Sequence, residues 1–175
     1  MYFLMRVWGN MGYVPREKQD KGVRAEHAFR AWLNEKGYSF IYLEQSTTTF
    51  PEKFHGTIKR PDFLIGLFRL GSIFVDVKGH RRYEDEHGSY FSLPADEAQQ
   101  YRMLETFMGL PVWLAYVPED EGLQVAYFFP ASLVVNLPAL AYNGRKFVKI
   151  HLGTVTFKRI ALDRSGQLSS LCELV

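Results

Sequence analysis

The chain has a single cysteine, Cys172, in 175 residues. That excludes an internal disulfide and a cysteine-built zinc centre, and it suits a reducing compartment. Histidine is scarce as well: the five, at positions 27, 55, 80, 87 and 151, nowhere take the spacing H-E-x-x-H. No G-x-x-x-x-G-K-[ST] loop is present. Zinc-hydrolase and P-loop ATPase chemistry therefore lack the residues they need. No apolar run reaches the ~18 residues that span a bilayer. The opening MYFLMRVWGN is too short, and has the wrong order of charge and apolar residues, for a signal peptide. A soluble, cytoplasmic chain with no membrane partner is the expectation. Internal repeats, low-complexity tracts and linkers are also missing.

What the chain does have is apolar mass, 47% hydrophobic and 15% aromatic, enough for a real core in one domain spanning residues 1–175. Its net charge of +2 hides a strong asymmetry. Residues 53–82 hold seven Lys or Arg against two Asp, and residues 143–164 hold six against one acid. Residues 83–121 reverse the balance, with nine acids against one base. Such polarity suits a polyanion on one face, and it equally suits ordinary solvated surface.

Helical spacing over 21–36 predicts a first helix, with Asp20 as N-cap and Gly37 as stop. YSFIYLEQ reads as a strand, followed by a 15-residue loop, STTTFPEKFHGTIKR. DFLIGLF and SIFVDVK, with RLG between them, read as a hairpin. PADEAQQYRMLETFMG reads as a second helix, acidic in its first turn and ended by Gly109. PVWLAYV and LQVAYFF follow as strands across the turn PEDEG, then a short PASLVVNL and a basic strand pair, RKFVKIHL with VTFKRIAL. This order predicts an α/β fold, a central mixed β-sheet flanked by helices. The core covers about residues 20–130, with a C-terminal β extension over 131–175.

Within that order three charges converge. Alternation along SIFVDVK puts Asp76 and Lys78 on one face, with Ile73, Val75 and Val77 on the other. Folding the hairpin brings Asp62 back beside residues 76–78. Glu26 lies in a helical row with Val23, Phe29 or Arg30, and Leu33, on or beside the packing face of the first helix. A carboxylate there needs a cation, a donor or a metal. Two explanations stand open. Lys78 neutralises Asp76 and Asp62 meets Arg60 or Arg69, a buried ion network without chemistry. Alternatively, the surplus of carboxylates over lysine holds a hard cation, Mg²⁺ or Mn²⁺, through Asp62, Asp76, the Val77 carbonyl and water.

Glu26, then Pro61-Asp62, then Asp76-Val77-Lys78, with 13 residues between the two aspartates, resembles the motif of the PD-(D/E)xK nuclease superfamily. The resemblance implies a restriction-endonuclease-like core of helix, antiparallel strands, helix and strand. It implies Asp62 and Asp76 as metal ligands, Glu26 as a direct or water-mediated third, and Lys78 as the residue that orients and activates the attacking water. Some members add a glutamine or tyrosine from the second helix. Gln99, Gln100 and Tyr101 are the candidates, with Gln100 taken as catalytic, although the Gln-x-x-x-Tyr spacing of one subfamily is absent.

Lys59 and Arg60 before the motif, and His80, Arg81 and Arg82 after it, are the candidate phosphate contacts; Lys53 and His55 stand nearby in the loop. The expectation is a Mg²⁺-dependent nuclease acting on DNA rather than RNA. With no separate DNA-reading segment, a long specific site would need a homodimer or a partner protein. Two other classes stay in play: a non-cleaving nucleic-acid-binding or assembly module on the same fold, and a structural partner protein that uses exposed aromatics around Tyr90 and Phe91.

Overall fold

A computed structural model of the chain describes residues 16–44, 51–68 and 71–174. The start of the long loop and most of the turn read at 69–71 lie outside the described residues.

Helix α1 (Arg16–Glu35) begins a turn earlier than its sequence signals indicate, so Asp20 lies inside it and does not cap it. Gly37, at φ +68°, ends it as expected, because the left-handed turn there costs glycine nothing. Its buried row is Ala25, Phe29, Trp32 and Leu33, at i, i+4, i+7 and i+8. Val23, expected in that row, is 51% exposed, since the helix is rotated to seat the two large rings. Glu26 therefore borders the packed face and does not sit within it.

The strands follow as β1 (Ser39–Tyr42), β2 (Phe63–Leu67), β3 (Gly71–Lys78), β4 (Tyr83–Asp85) and β5 (Gly88–Pro94). Helix α2 (Ala95–Met108) then leads into β6 (Val112–Tyr116) and β7 (Val125–Pro130). A short α3 (Ala131–Val134) precedes β8 (Ala139–Tyr142), β9 (Arg145–His151) and β10 (Lys158–Ala161). The main sheet has the order β1-β2-β3-β6-β7-β10. Its β3–β6 pair is parallel and its other pairs are antiparallel, so it is the expected mixed sheet flanked by helices.

Alternation along β3 and β6 builds two cores. Ile73, Val75, Val77, Trp113 and Ala115 meet α1 on one face, joined by Leu168 and Leu171 from the C-terminal turn. Phe74, Leu114 and Tyr116 meet α2 on the other, together with a second sheet of order β4-β5-β9-β8. The expected pairing of RKFVKIHL with VTFKRIAL does not occur. β9 buries Val148 and Ile150 in the α2-side core, whereas β10 buries Ile160 in the α1-side core and pairs with β7. Two strands that insert their apolar sides into different layers cannot share a ladder.

Gly79, directly after β3, fixes where α1 crosses the end of that strand. A Cβ there would stand 2.4 Å from the Lys21 carbonyl oxygen, a backbone atom that cannot turn aside. Gly79→Ala is expected to push α1 off the sheet and cost about 1–3 kcal/mol, read by urea unfolding. Unchanged stability would mean that α1 docks more loosely than its contact with Gly79 implies.

Candidate active site

Asp62 enters β2 just ahead of Phe63, which pairs with Val75, so the register carries Asp62 to the position opposite Asp76. It shares its sheet face with Leu64, and Asp76 and Lys78 share theirs with Phe74, all on the α2 side. Both aspartates are buried, Asp62 at 7% and Asp76 at 3% exposure. The Val77 amide donates to Asp62 Oδ2 at 2.7 Å. Lys78 Nζ reaches Asp76 Oδ2 at 2.8 Å and Glu97 Oε2 at 2.9 Å. Tyr101, one turn along α2 from Glu97, lays its ring 5.4 Å from Lys78 Nζ. Its buried hydroxyl has no hydrogen-bond partner among the described residues.

Electrostatics separates Asp62 from ordinary packing. Burial, then the facing Asp76 and Glu26, pushes the Asp62 carboxyl up to about 8, against the pull of the Val77 amide and Lys78. Burial works against the Lys78 charge, yet Asp76 and Glu97 keep its proton bound well above the ordinary lysine range. Glu97 is raised by burial, but Lys78 and Lys59 more than offset this and hold it below the usual glutamate range. Burial and Asp76 raise the Tyr101 hydroxyl far above a free tyrosine. Near neutral pH, then, Lys78 is a fixed cation and Asp62 is a carboxyl poised to keep its proton unless further positive charge arrives.

The other expected residues take individual places. Glu26 Oε2 accepts from the Tyr42 hydroxyl at 3.0 Å, close enough to Asp62 to raise its pKa. Among the described residues no three His, Cys, Asp or Glu side chains are gathered as an ion would require, so Glu26 stands off from the aspartate pair. Gln100 Nε2 donates to the Gly56 carbonyl at 3.1 Å and ties the long loop to α2. Lys59 lies 3.7 Å from Glu97, Arg60 donates to the Glu44 carbonyl, and the His80 ring packs edge-on to Tyr116 at 6.2 Å. Arg82 is engaged with Asp120 at 3.3 Å and Glu121 at 3.2 Å, while Arg81 is exposed over the Tyr83 ring. Much of the basic charge counted along the chain is thus met by the acidic block of residues 83–121.

Glu97 is the site residue that reading the sequence missed. In the run ADEAQQY it looks like a first-turn acid that suits the helix N-terminus. Its spacing of four from Tyr101 puts both on the helix face above Lys78, and that was the available signal.

No protein-family model and no curated protein matches this sequence. Among solved structures the chain is similar to Hjc, a Holliday junction resolvase from the archaeal hyperthermophile Archaeoglobus fulgidus. The identity is 21% and the TM-score 0.48, with 75% of this chain and 89% of that chain covered.

Proposed function

We propose that the chain is a metal-dependent nuclease that hydrolyses phosphodiester bonds in DNA. The observation that carries the reading is the Asp62–Asp76 pair, two buried carboxyls opposed across β2 and β3 with Lys78 on the same face. Such a pair is a poor way to stabilise a sheet, and burial, then the facing Asp76, raises the Asp62 carboxyl to about 8. A divalent cation would oppose that rise. The oxygen-only donor set fits Mg²⁺ or Mn²⁺: Asp62, Asp76, the Val77 carbonyl and water, with Glu26 reaching through water. Apart from the β4–β5 hairpin inserted between β3 and α2, the element order α1-β1-β2-β3-α2-β6, with the motif at the β2–β3 pair, agrees with what the PD-(D/E)xK resemblance implies.

A bound metal would supply polarisation of the phosphoryl oxygen and a water of lowered pKa. Asp62, as its carboxylate, and Asp76 would hold the metal, and Asp76 also anchors Lys78. Lys78 keeps its own proton, so it acts by orienting the attacking water and stabilising the negative charge that grows on the phosphate. Glu97 and the Tyr101 ring keep the ammonium aimed at that place.

The closed Asp76–Lys78–Glu97 chain favours one other reading, a nucleic-acid-binding or assembly module that keeps the ions as structure. Plasmid incubation with and without Mg²⁺ separates the two. Cleavage only with metal is expected from the wild type and absent from Asp62→Ala and Asp76→Ala. Calorimetry should show Mg²⁺ or Mn²⁺ binding to the wild type and its loss in both variants, and unchanged binding in both would remove the metal assignment.

A further inference from the structure

The second sheet packs Phe91, Leu93, Val148 and Ile150 into the α2-side core, all of them buried. Phe91, taken from sequence as an exposed aromatic, is therefore interior, and its neighbour Tyr90 points the opposite way. On that outer face Tyr83 of β4 stacks on Tyr90 of β5, with centroids 5.6 Å apart and planes 26° from parallel. Cations flank the stack: the Arg81 guanidinium lies 5.0 Å from the Tyr83 ring and the Lys149 ammonium 4.5 Å from Tyr90. The His151 ring follows, 5.2 Å from Tyr90, its Nδ1 buried without a partner among the described residues. The row ends in an open concavity of about 580 Å³, bordered by His87, His151, Lys149 and Leu140. Leu140 and Tyr142 on β8 are 43% and 68% exposed.

A cross-strand aromatic pair by itself is ordinary sheet stabilisation. A cation at each end of the pair, and an open hollow beyond His151, go beyond that role. Asp85 is the counter-charge on this face; it is held by Lys149 at 2.6 Å with His151 at 3.7 Å, and Glu86 stands at the rim of the hollow. Arg81 and Arg145 remain as exposed positive charge on either side.

We propose that this face is a stacking platform for the unpaired bases of a single-stranded nucleic acid, the two tyrosines and His151 meeting bases and Arg81 and Arg145 meeting phosphates, while Lys149 stays paired with Asp85 beneath them. Its place in the fold links it to the site. The chain runs from Lys78 to Tyr83 in five steps, no more than ~18 Å even fully extended. β5 ends at Pro94, three residues before Glu97. The platform deepens the nuclease reading by naming an unpaired strand beside the scissile bond as part of the substrate, and it rests on that reading for cleavage only.

The test is fluorescence anisotropy on the full chain in EDTA, with fluorescein-labelled oligothymidylate against a labelled duplex. Wild type is expected to bind the single strand more tightly than the duplex. Tyr83→Ala and Tyr90→Ala should each weaken single-strand binding by roughly ten-fold or more, whereas Tyr83→Phe and Tyr90→Phe, which keep the ring, should bind like wild type. Photo-cross-linking of an iodouracil-substituted oligonucleotide to wild type, mapped by mass spectrometry, gives a readout that no folding defect can mimic, and the cross-link should fall on Tyr83 or Tyr90. Cross-links confined to peptides without Tyr83, Tyr90 or His151, tighter binding of duplex, or phenylalanine variants as weak as the alanine ones would each overturn the platform. Because no metal is present, a failure of plasmid cleavage leaves this measurement intact. A lost platform with cleavage preserved overturns the platform alone.

Discussion

Lys78→Met is expected to abolish useful cleavage while leaving a protein that Mg²⁺ can rescue in stability. The ammonium sits 2.8 Å from Asp76 and 2.9 Å from Glu97, with only 12% of its side chain exposed. Removing it strands two acids beside the already strained Asp62. In metal-free protein the loss should reach about 3–5 kcal/mol, the usual cost of breaking a buried pair by deleting one partner. Added Mg²⁺ should return much of that, because a divalent cation at Asp62 and Asp76 replaces the missing positive charge. Hydrolysis should nevertheless fall by roughly 10²–10³, the typical effect of deleting one group that stabilises transition-state charge. Thermal unfolding with and without Mg²⁺, run beside plasmid cleavage, reads both. A folded, metal-binding variant that cuts at the wild-type rate takes Lys78 out of the mechanism and leaves the ion-network reading.

Asp62→Asn should stabilise the metal-free protein at alkaline pH, the opposite of what is usual for a buried-site substitution. With the folded carboxyl raised to about 8 from an ordinary value of 3.8, the native state holds a proton that the unfolded chain releases between those limits. Stability from this group is therefore fully present below the unfolded pKa and is lost as pH rises through the folded one. Asparagine copies the protonated acid and can still accept from the Val77 amide, so the variant lacks that loss. The groups facing the position are Asp76, Glu26 and Lys78, and because these acids titrate together with Asp62 the difference between variant and wild type reads the coupled set. In EDTA the two proteins should unfold at similar urea concentrations near pH 4, and the variant should gain up to about 5 kcal/mol by pH 9. The same substitution should eliminate Mg²⁺-dependent cleavage, since a neutral amide is a poor ligand for a hard cation. Parallel stability curves across this range would mean that Asp62 is ionised throughout and that the aspartate pair is not strained.

Both results depend on features that differ in how far the sequence reveals them. Apart from the β4–β5 hairpin, the α-β-hairpin-α-β-β order was legible because each of its elements carries a local signal. Ala25, Phe29, Trp32 and Leu33 recur at helical spacing, and SIFVDVK alternates. Gly37 and Gly109 stop helices in the left-handed conformation that other residues avoid. The return of Asp62 to the neighbourhood of residues 76–78 followed from the same local facts, and the folded register sets it opposite Asp76.

Tertiary structure decided what depends on partners distant in the chain. GSYFSLP, with Gly, two Ser and a terminal Pro, has weak strand character by itself. It becomes β5 because Tyr90 through Pro94 pair with His151 through Phe147, more than fifty residues away. Glu97 was indistinguishable from a helix-start acid until α2 was laid across β3 and brought it to Lys78. The basic runs likewise appeared as free positive charge, and only packing showed Arg82 and Arg159 held by Glu121 and Lys149 held by Asp85. Local backbone preference and side-chain alternation are written in neighbouring residues, so the sequence by itself determined α1, the β2–β3 hairpin, α2, β6 and β7, and the shared face of Asp76 and Lys78. Which charges meet, and which aromatic face stays open, depends on contacts between segments that no local pattern encodes, and only the folded chain decided them.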